Sequence, residues 1–374
     1  MTDALSPAHL FWLLLLLCLA GFTLLYGTLR DAGRGARRRV LRRRIDALGP
    51  PAAGTDEAAI EALRDAMSQA RQALRQPARQ RGAPVPWFLF LGDAEANLPG
   101  LLAAAHAERL APSASEPFGD AYWRWWLTGS MAAIELHPAA VGEAAATPHT
   151  RGLWLQALLA LAERRERLPL NGLVVCVCAS ELLRTDAGAI EPLATRMRRL
   201  IDEAGDTLRL QMPVYLLVTG LEQLAGYAAL RGALPPEVLA QALGHRVAQP
   251  PAAHETAAAR LDAMFDPMTR QLHALRMALL REQPGAAGRL AIHEFIEAMR
   301  GLQPTLRQMA DVLFESHGRG SRAPRWRGLY FTAAASGAAG GAFATDLFTH
   351  FLPADQPLVR PGRPAASNGS AAPP

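Results

Sequence analysis

Three stretches of this chain are apolar without alternation: Trp87–Leu91, Leu170–Cys178 and Leu210–Gly220. None contains a charge, and unbroken runs of this kind are typical of strands covered on both faces in a parallel sheet. Between them the period lengthens. Arg151–Glu166, carrying Trp154, Leu155, Leu158, Leu159 and Leu161, predicts an amphipathic helix, and Ile190–Gly205 predicts another. Leu101–Leu110 also has a helical composition, and Tyr122–Leu127 with Met131–Leu136 reads as a hairpin or strand pair. Strands alternating with helices indicate a mostly parallel sheet with helices on both faces. After Pro235 the pattern turns helical, over Pro236–His245, Thr256–Arg281 and Leu290–Ser316. A late strand at Arg325–Thr332 and a short helix at Phe343–Phe351 follow, and Pro361–Pro374 has the composition of a disordered tail.

The N-terminal part is different. Leu10–Leu29 carries no charge, and about 20 apolar residues suffice to span a bilayer. Trp12 and Tyr26 lie near its ends, as interfacial aromatic residues do. The residues before His9 hold only Asp3 as a charge and no small-residue cleavage motif follows, so the expectation is a retained anchor and not a cleaved leader. Arg30–Arg44 contains eight arginines, which by the positive-inside rule puts the rest of the chain in the cytoplasm and the arginines near anionic headgroups. The expected divisions are 1–29 (tail and transmembrane helix), 30–83 (basic segment, a linker at Gly49–Gly54 and a connecting helix from Thr55), 84–234 (α/β), 235–360 (mainly helical, with the late strand) and 361–374 (tail).

Composition narrows the chemistry. The net charge of +5 comes with no lysine at all, so every one of the 39 basic residues is arginine. Cys18, Cys176 and Cys178 give neither a disulfide framework nor a zinc quartet, and the ten histidines form no close ligand motif. No metal or cofactor site is expected. Cys176 and Cys178 read as buried small residues, Ser180 as a helix cap, Trp123, Trp125 and Trp126 as packing or a protein contact, and Met264, Met268 and Met277 as core filler.

The stretch of most interest begins at Pro84. An apolar strand ends at Gly92, and the run from Leu101 is helical. Strand, glycine turn and helix form the frame of a phosphate-binding loop, in which backbone N–H groups face an anion. The chemistry is missing. In G-x-x-x-x-G-K-[ST], Gly92 fills the first place, but Asn97 stands for the second glycine, Leu98 for the lysine and Pro99 for the hydroxyl residue. Asp93 and Glu95 add charge that repels a triphosphate.

Several motifs, in this order, resemble the cytoplasmic N-terminal part of the IcmF/TssM family, inner-membrane components of type VI secretion systems with relatives in the Dot/Icm type IV system. They are Pro86–Gly92, Arg167–Val175 (R-x-P-L-N-G), Met212–Thr219 (P-V-Y), Gly226-Tyr227, Arg327–Thr332 (R-G-x-Y-F-T) and Phe343–Phe348 (F-x-x-D-L-F) with Leu352-Pro353. The resemblance implies a P-loop-NTPase-like α/β fold and a short form, with one span and without the family's periplasmic arm. It also marks two more degenerate corners. Glu135 and Pro138 stand where the family faces the γ-phosphate and metal, and Gly220 and Glu222 where it reads the base.

The expected function is a non-catalytic, membrane-anchored scaffold or adaptor, with other type VI secretion membrane-complex or baseplate subunits as partners, no nucleic acid, and homo- or hetero-oligomers in prospect. Two alternatives stand beside it: a switch with residual nucleotide affinity in the same complex, and a membrane-anchored regulator unrelated to secretion.

Overall fold

The computed structural model describes residues 7–47, 55–75, 84–110, 121–165, 168–185, 187–247, 255–316, 323–335 and 340–362. The linker Gly49–Gly54 and the tail beyond Gly362 lie outside the described residues.

In chain order, helices α1 (Pro7–Asp46) and α2 (Thr55–Leu74) precede strand β1 (Trp87–Gly92). Helix α3 (Leu98–Ala104) and strands β2 (Glu108–Arg109), β3 (Trp123–Leu127) and β4 (Ala132–Leu136) come next. Then α4 (Pro148–Arg164), β5 (Gly172–Cys178), α5 (Ala179–Arg184), α6 (Glu191–Leu208), β6 (Leu210–Gln211) and β7 (Pro213–Thr219) complete the alternating region. The remainder is α7 (Tyr227–Ala233), α8 (Pro236–Ala240), β8 (Leu243–Arg246), α9 (Ala257–Glu282), α10 (Ala286–Gly301), α11 (Gln303–Phe314), β9 (Arg325–Phe331), a π turn at Leu347–Phe351, α12 (Leu352–Ala354) and β10 (Arg360–Pro361).

Eight strands form one sheet in the order β2-β3-β4-β1-β5-β7-β9-β8. The five from β4 to β9 run parallel, β3 on one side and β8 on the other run antiparallel to them, and β2 pairs antiparallel with β3 at the edge. Both faces are covered, and the side chains of each strand divide between two cores. Leu89, Leu91, Val175, Leu216, Val218 and Phe331 belong to the core shared with α4, α6, α9 and α11. Phe88, Phe90, Val174, Cys176, Tyr215 and Tyr330 point to the opposite core, with Leu101 and Leu102 of α3 and with Leu347, Phe348 and Leu352 near the C-terminus. The second face is therefore closed by a seven-residue helix and a strap from residue 340 onward. Phe348 stacks on Phe90 with ring centroids 5.6 Å apart.

The strap is fastened at several points. The Asp355 carboxylate is buried and accepts hydrogen bonds from Tyr215 Oη (2.7 Å) and from Arg327 Nε (2.8 Å) and Nη2 (3.1 Å), with Arg246 Nη2 at 3.4 Å. Ser130 Oγ donates to the Phe348 carbonyl, and β10 pairs with β6. The R-G-x-Y-F-T strand and the closing helix are thus two halves of one clasp. The R-x-P-L-N-G stretch is structural too. Asn171 Oδ1 accepts from Trp87 N–H (2.9 Å) and Arg165 Nη1 (2.8 Å), and a Cβ on Gly172 would sit 2.6 Å from the Phe88 ring. Arg167 lies outside the described residues.

Several expectations change. The helix expected over Leu101–Leu110 is the shorter α3, and Glu108–Arg109 turn back as an edge strand on β3. Pro236–His245 holds only the short α8 before the chain joins the sheet as β8 against β9. The late strand lies beside β7 in the main sheet. Leu290–Ser316 is broken at Leu302, because Pro304 in the first turn of α11 has no N–H to continue α10. Helix α11 in turn braces its neighbours: Asp311 Oδ1 and Glu315 Oε1 accept the N–H groups of Ala258 and Ala257 at the start of α9, and Arg198 of α6 donates to the carbonyls of Val312, Leu313 and Glu315. Met264 and Met268 are buried, whereas Met277 is exposed. Pro361, expected in the tail, pairs with Leu210.

Helix α1 bears on the membrane expectation. Among the described residues no helix is long and apolar enough to cross a membrane. Residues 11–25 of α1 belong to the expected Leu10–Leu29 span. The large apolar residues of that stretch, Phe11 to Leu17 consecutively and then Leu19, Phe22, Leu24 and Leu25, are all exposed. The arginines also depart from expectation. Arg42 Nη2 pairs with Glu163 Oε1 (3.0 Å), Arg38 Nη2 donates to the Glu163 carbonyl (3.5 Å), Arg44 Nη1 donates to Thr207 Oγ1 (3.3 Å), and Leu41 between them is fully buried. Those three face α4 and α6.

Candidate functional site

Strand β1 is the point at which the sheet order changes direction. The chain leaves it for β2–β4 on one side and returns to β5, β7 and β9 on the other. In open α/β sheets the crevice beyond the carboxyl end of such a strand is where ligands bind. The loop from Gly92 to Pro99 occupies that position, with the β4 end and the β7 end on either side. The three groups of residues singled out in the sequence (Gly92, Asn97, Leu98 and Pro99; Glu135 and Pro138; Gly220 and Glu222) lie at or beyond the carboxyl ends of β1, β4 and β7, on one edge of the parallel sheet.

The loop after β1 is satisfied from within. Asp93 Oδ1 accepts the Ala96 N–H at 3.0 Å, and the Glu95 N–H reaches the same carboxylate. Burial pushes the Asp93 carboxyl above its ordinary range against those two amides, and the charges of Glu181 and Glu95 push the same way. The Asn97 N–H donates to the Ala94 carbonyl. Asn97 itself takes the left-handed conformation (φ 43°), and its Oδ1 accepts the Gly100 N–H at 3.2 Å. Ala96 is buried inside the loop, and its carbonyl accepts from Thr219 Oγ1 of β7 at 2.9 Å. Leu98, at the place of a phosphate-binding lysine, is buried in the core of the second face, and Pro99 brings no N–H. The Glu95, Ala96, Asn97 and Gly100 amides of the loop are thus spent on the chain's own oxygens.

The second corner is closed in the same way. Glu135 lies opposite Arg124 in the β3–β4 ladder. Its Oε1 pairs with Arg124 Nη1 at 2.7 Å and its Oε2 accepts from Trp126 Nε1 at 2.7 Å. Burial raises the Glu135 carboxyl even so, with Arg124 and Trp126 working against the rise. Pro138 opens a short 3₁₀ turn that His137 caps through its Nδ1, which accepts the Ala139 N–H at 3.2 Å.

At the third corner Gly220 is left-handed (φ 76°), and Glu222 Oε2 accepts the Ala334 N–H at 2.9 Å. Ala334 belongs to the chain that leaves β9, so the carboxylate kept at the base-reading position holds the protein's own backbone. Ser180 does not cap α5; its hydroxyl donates to Gln223 Oε1 at 2.7 Å. Trp123 and Trp125 meet edge to face and are buried, which is packing. Among the described residues no group of three or more His, Cys, Asp or Glu side chains could hold a metal ion.

Sequence reasoning found the corners but not what fills them. Arg124, Trp126 and Ala334 carried no motif, although counting back across the β3–β4 turn pairs Arg124 with Glu135. Asp355, the centre of the clasp, was also missed.

Comparison with known proteins points one way. Over 210 residues, 56% of this chain, the sequence is 24% identical to the type VI secretion system component TssM1 of Pseudomonas aeruginosa, and the match spans 19% of that relative's length. No solved structure matches. A family described as the IcmF-related N-terminal domain matches residues 148–370, from α4 to the end of the clasp, leaving β1 and its loop outside the matched range. By that match, over more than half its length, this chain belongs to the IcmF-related family.

Proposed function

We propose that this chain is a non-catalytic, membrane-anchored scaffold or adaptor of a type VI secretion membrane complex, in which a P-loop-like frame is kept as architecture. The observation that carries the reading recurs at all three corners: the Ala96 and Gly100 amides, the Glu135 carboxylate and the Glu222 carboxylate are each bound to another part of the chain. A phosphate would have to displace Asp93 from its amides and then sit beside Glu95 and Glu181 without a lysine, in surroundings that repel negative charge. The membrane part rests on residues 11–25. A helix that is apolar all round and exposed all round, over consecutive residues, fits a lipid environment and not a packed seam. The secretion part rests on family membership and on the name of the P. aeruginosa relative.

Purification of the tagged full chain from native membranes, with the companions identified by mass spectrometry, tests the assignment. Recovery of type VI secretion membrane-complex or baseplate subunits is the expected result. A membrane-extracted chain that brings none of them down under conditions where the secretion system is assembled contradicts it.

A further inference from the structure

The arginine run after the apolar stretch is ordinarily read as a headgroup-binding segment. Its second half is engaged elsewhere. Leu41 is fully buried and Ile45 packs against the same core, with Arg42 paired to Glu163, Arg38 on the Glu163 carbonyl and Arg44 on Thr207. An exposed ion pair alone holds little, but here it flanks a buried leucine, and the contacts reach both α4 and α6. Helix α1 is continuous from Pro7 to Asp46. At about 1.5 Å per residue, Arg38 lies roughly 13 Å and Arg42 roughly 20 Å beyond Leu29 along the axis. A Debye length of about 8 Å at physiological ionic strength puts both beyond the main reach of a charged surface at Leu29.

We propose that the C-terminal half of α1 is a stalk docked on the chain's own α4–α6 layer, and that Arg38, Arg42 and Arg44 serve this dock and not the lipid. The stalk carries the α/β domain away from the bilayer, fixed to the second half of α1. Gly33 and Gly35 lie between the apolar stretch and the dock, and glycine weakens a helix interior. This inference rests on the membrane reading above.

The test uses the full chain with Cys18→Ser, Val40→Cys and Arg164→Cys, spin-labelled at the two new cysteines and reconstituted in vesicles of phosphatidylcholine, alone or mixed with phosphatidylglycerol. Both labelled positions are C-terminal to the glycines, so their separation reports the dock. Flotation with both vesicles and one narrow distance distribution, the same in both lipids, is expected. Glu163→Arg should broaden it, and adding Arg42→Glu should narrow it again. Flotation with a distance that is broad or lengthens with the anionic lipid would overturn the stalk alone. Failure to float with either vesicle would overturn the membrane reading and the stalk with it.

Discussion

Asp355 offers the sharpest test of the clasp, because one buried carboxylate joins three elements. Tyr215 from β7 and Arg327 from β9 donate three hydrogen bonds of 2.7 to 3.1 Å to it, and Arg246 from β8 approaches to 3.4 Å. Its own segment is the strap that holds Phe348 on Phe90. Asp355→Ala leaves the Arg327 guanidinium without its counter-charge and the Tyr215 hydroxyl without its acceptor. Breaking a buried pair from one side costs about 3–5 kcal/mol. For a domain of this size each kcal/mol lowers the melting temperature by roughly 2–4 °C, which makes a drop of about 10 °C the expected result. Asp355→Leu combined with Arg327→Met removes both charges and should lose much less, since apolar replacement of a buried pair is often close to neutral. Thermal unfolding of the full chain in detergent, followed by circular dichroism, reads both. A shift of less than about 2 °C for Asp355→Ala, against the roughly 2–4 °C expected per kcal/mol, would refute the clasp. So would a double variant as unstable as the two single changes added.

Two further outcomes follow from the same structure. The Asp93 carboxyl is raised by burial, so the folded state holds its proton more tightly than the unfolded chain does, and the stabilisation this gives is present at low pH and lost as pH rises through the raised value. Asp93→Asn should remove that loss, and urea titrations from acid to neutral pH should show a flatter stability profile than the parent; an unchanged profile would contradict the burial. Gly226 has φ 81°, and a Cβ there would run into the Ala291 carbonyl of α10, so Gly226→Ala should destabilise the fold, whereas Gly232→Ala in α7, with open space around it, should be neutral or stabilising by up to about 1 kcal/mol. Equal melting temperatures for the two variants would contradict the close approach of α7 to α10.

How far the sequence could be read depended on how local each element is. Strands β1, β5 and β7 are buried throughout, and their unbroken apolar runs announced this. Helix α6, with most of its charges on one side and Met197, Leu200, Ile201, Ala204 and Leu208 buried on the other, was equally plain. Strand β8 was not, because Leu243-Gly244-His245-Arg246 has no apolar pattern and exists through its pairing with β9. The strap was legible as a motif but not as a lid, since nothing local in Phe343–Phe348 says that Phe90, far earlier in the chain, is its partner. The candidate site divides in the same way. Substituted loop positions show in a linear alignment with a motif. The Ala334 amide on Glu222 is separated from it by 112 residues and follows only from the placement of β9 beside β7.

If the loop after β1 holds its own Asp93 where a nucleotide's phosphates would lie, the chain binds no nucleotide. Titration of fluorescent GTP and ATP analogues with magnesium into the detergent-solubilised full chain, with unlabelled nucleotide as competitor, measures this directly. No saturable, competable signal at sub-millimolar concentration is the expected result. Saturable binding in that range, displaced by the unlabelled nucleotide, would contradict it.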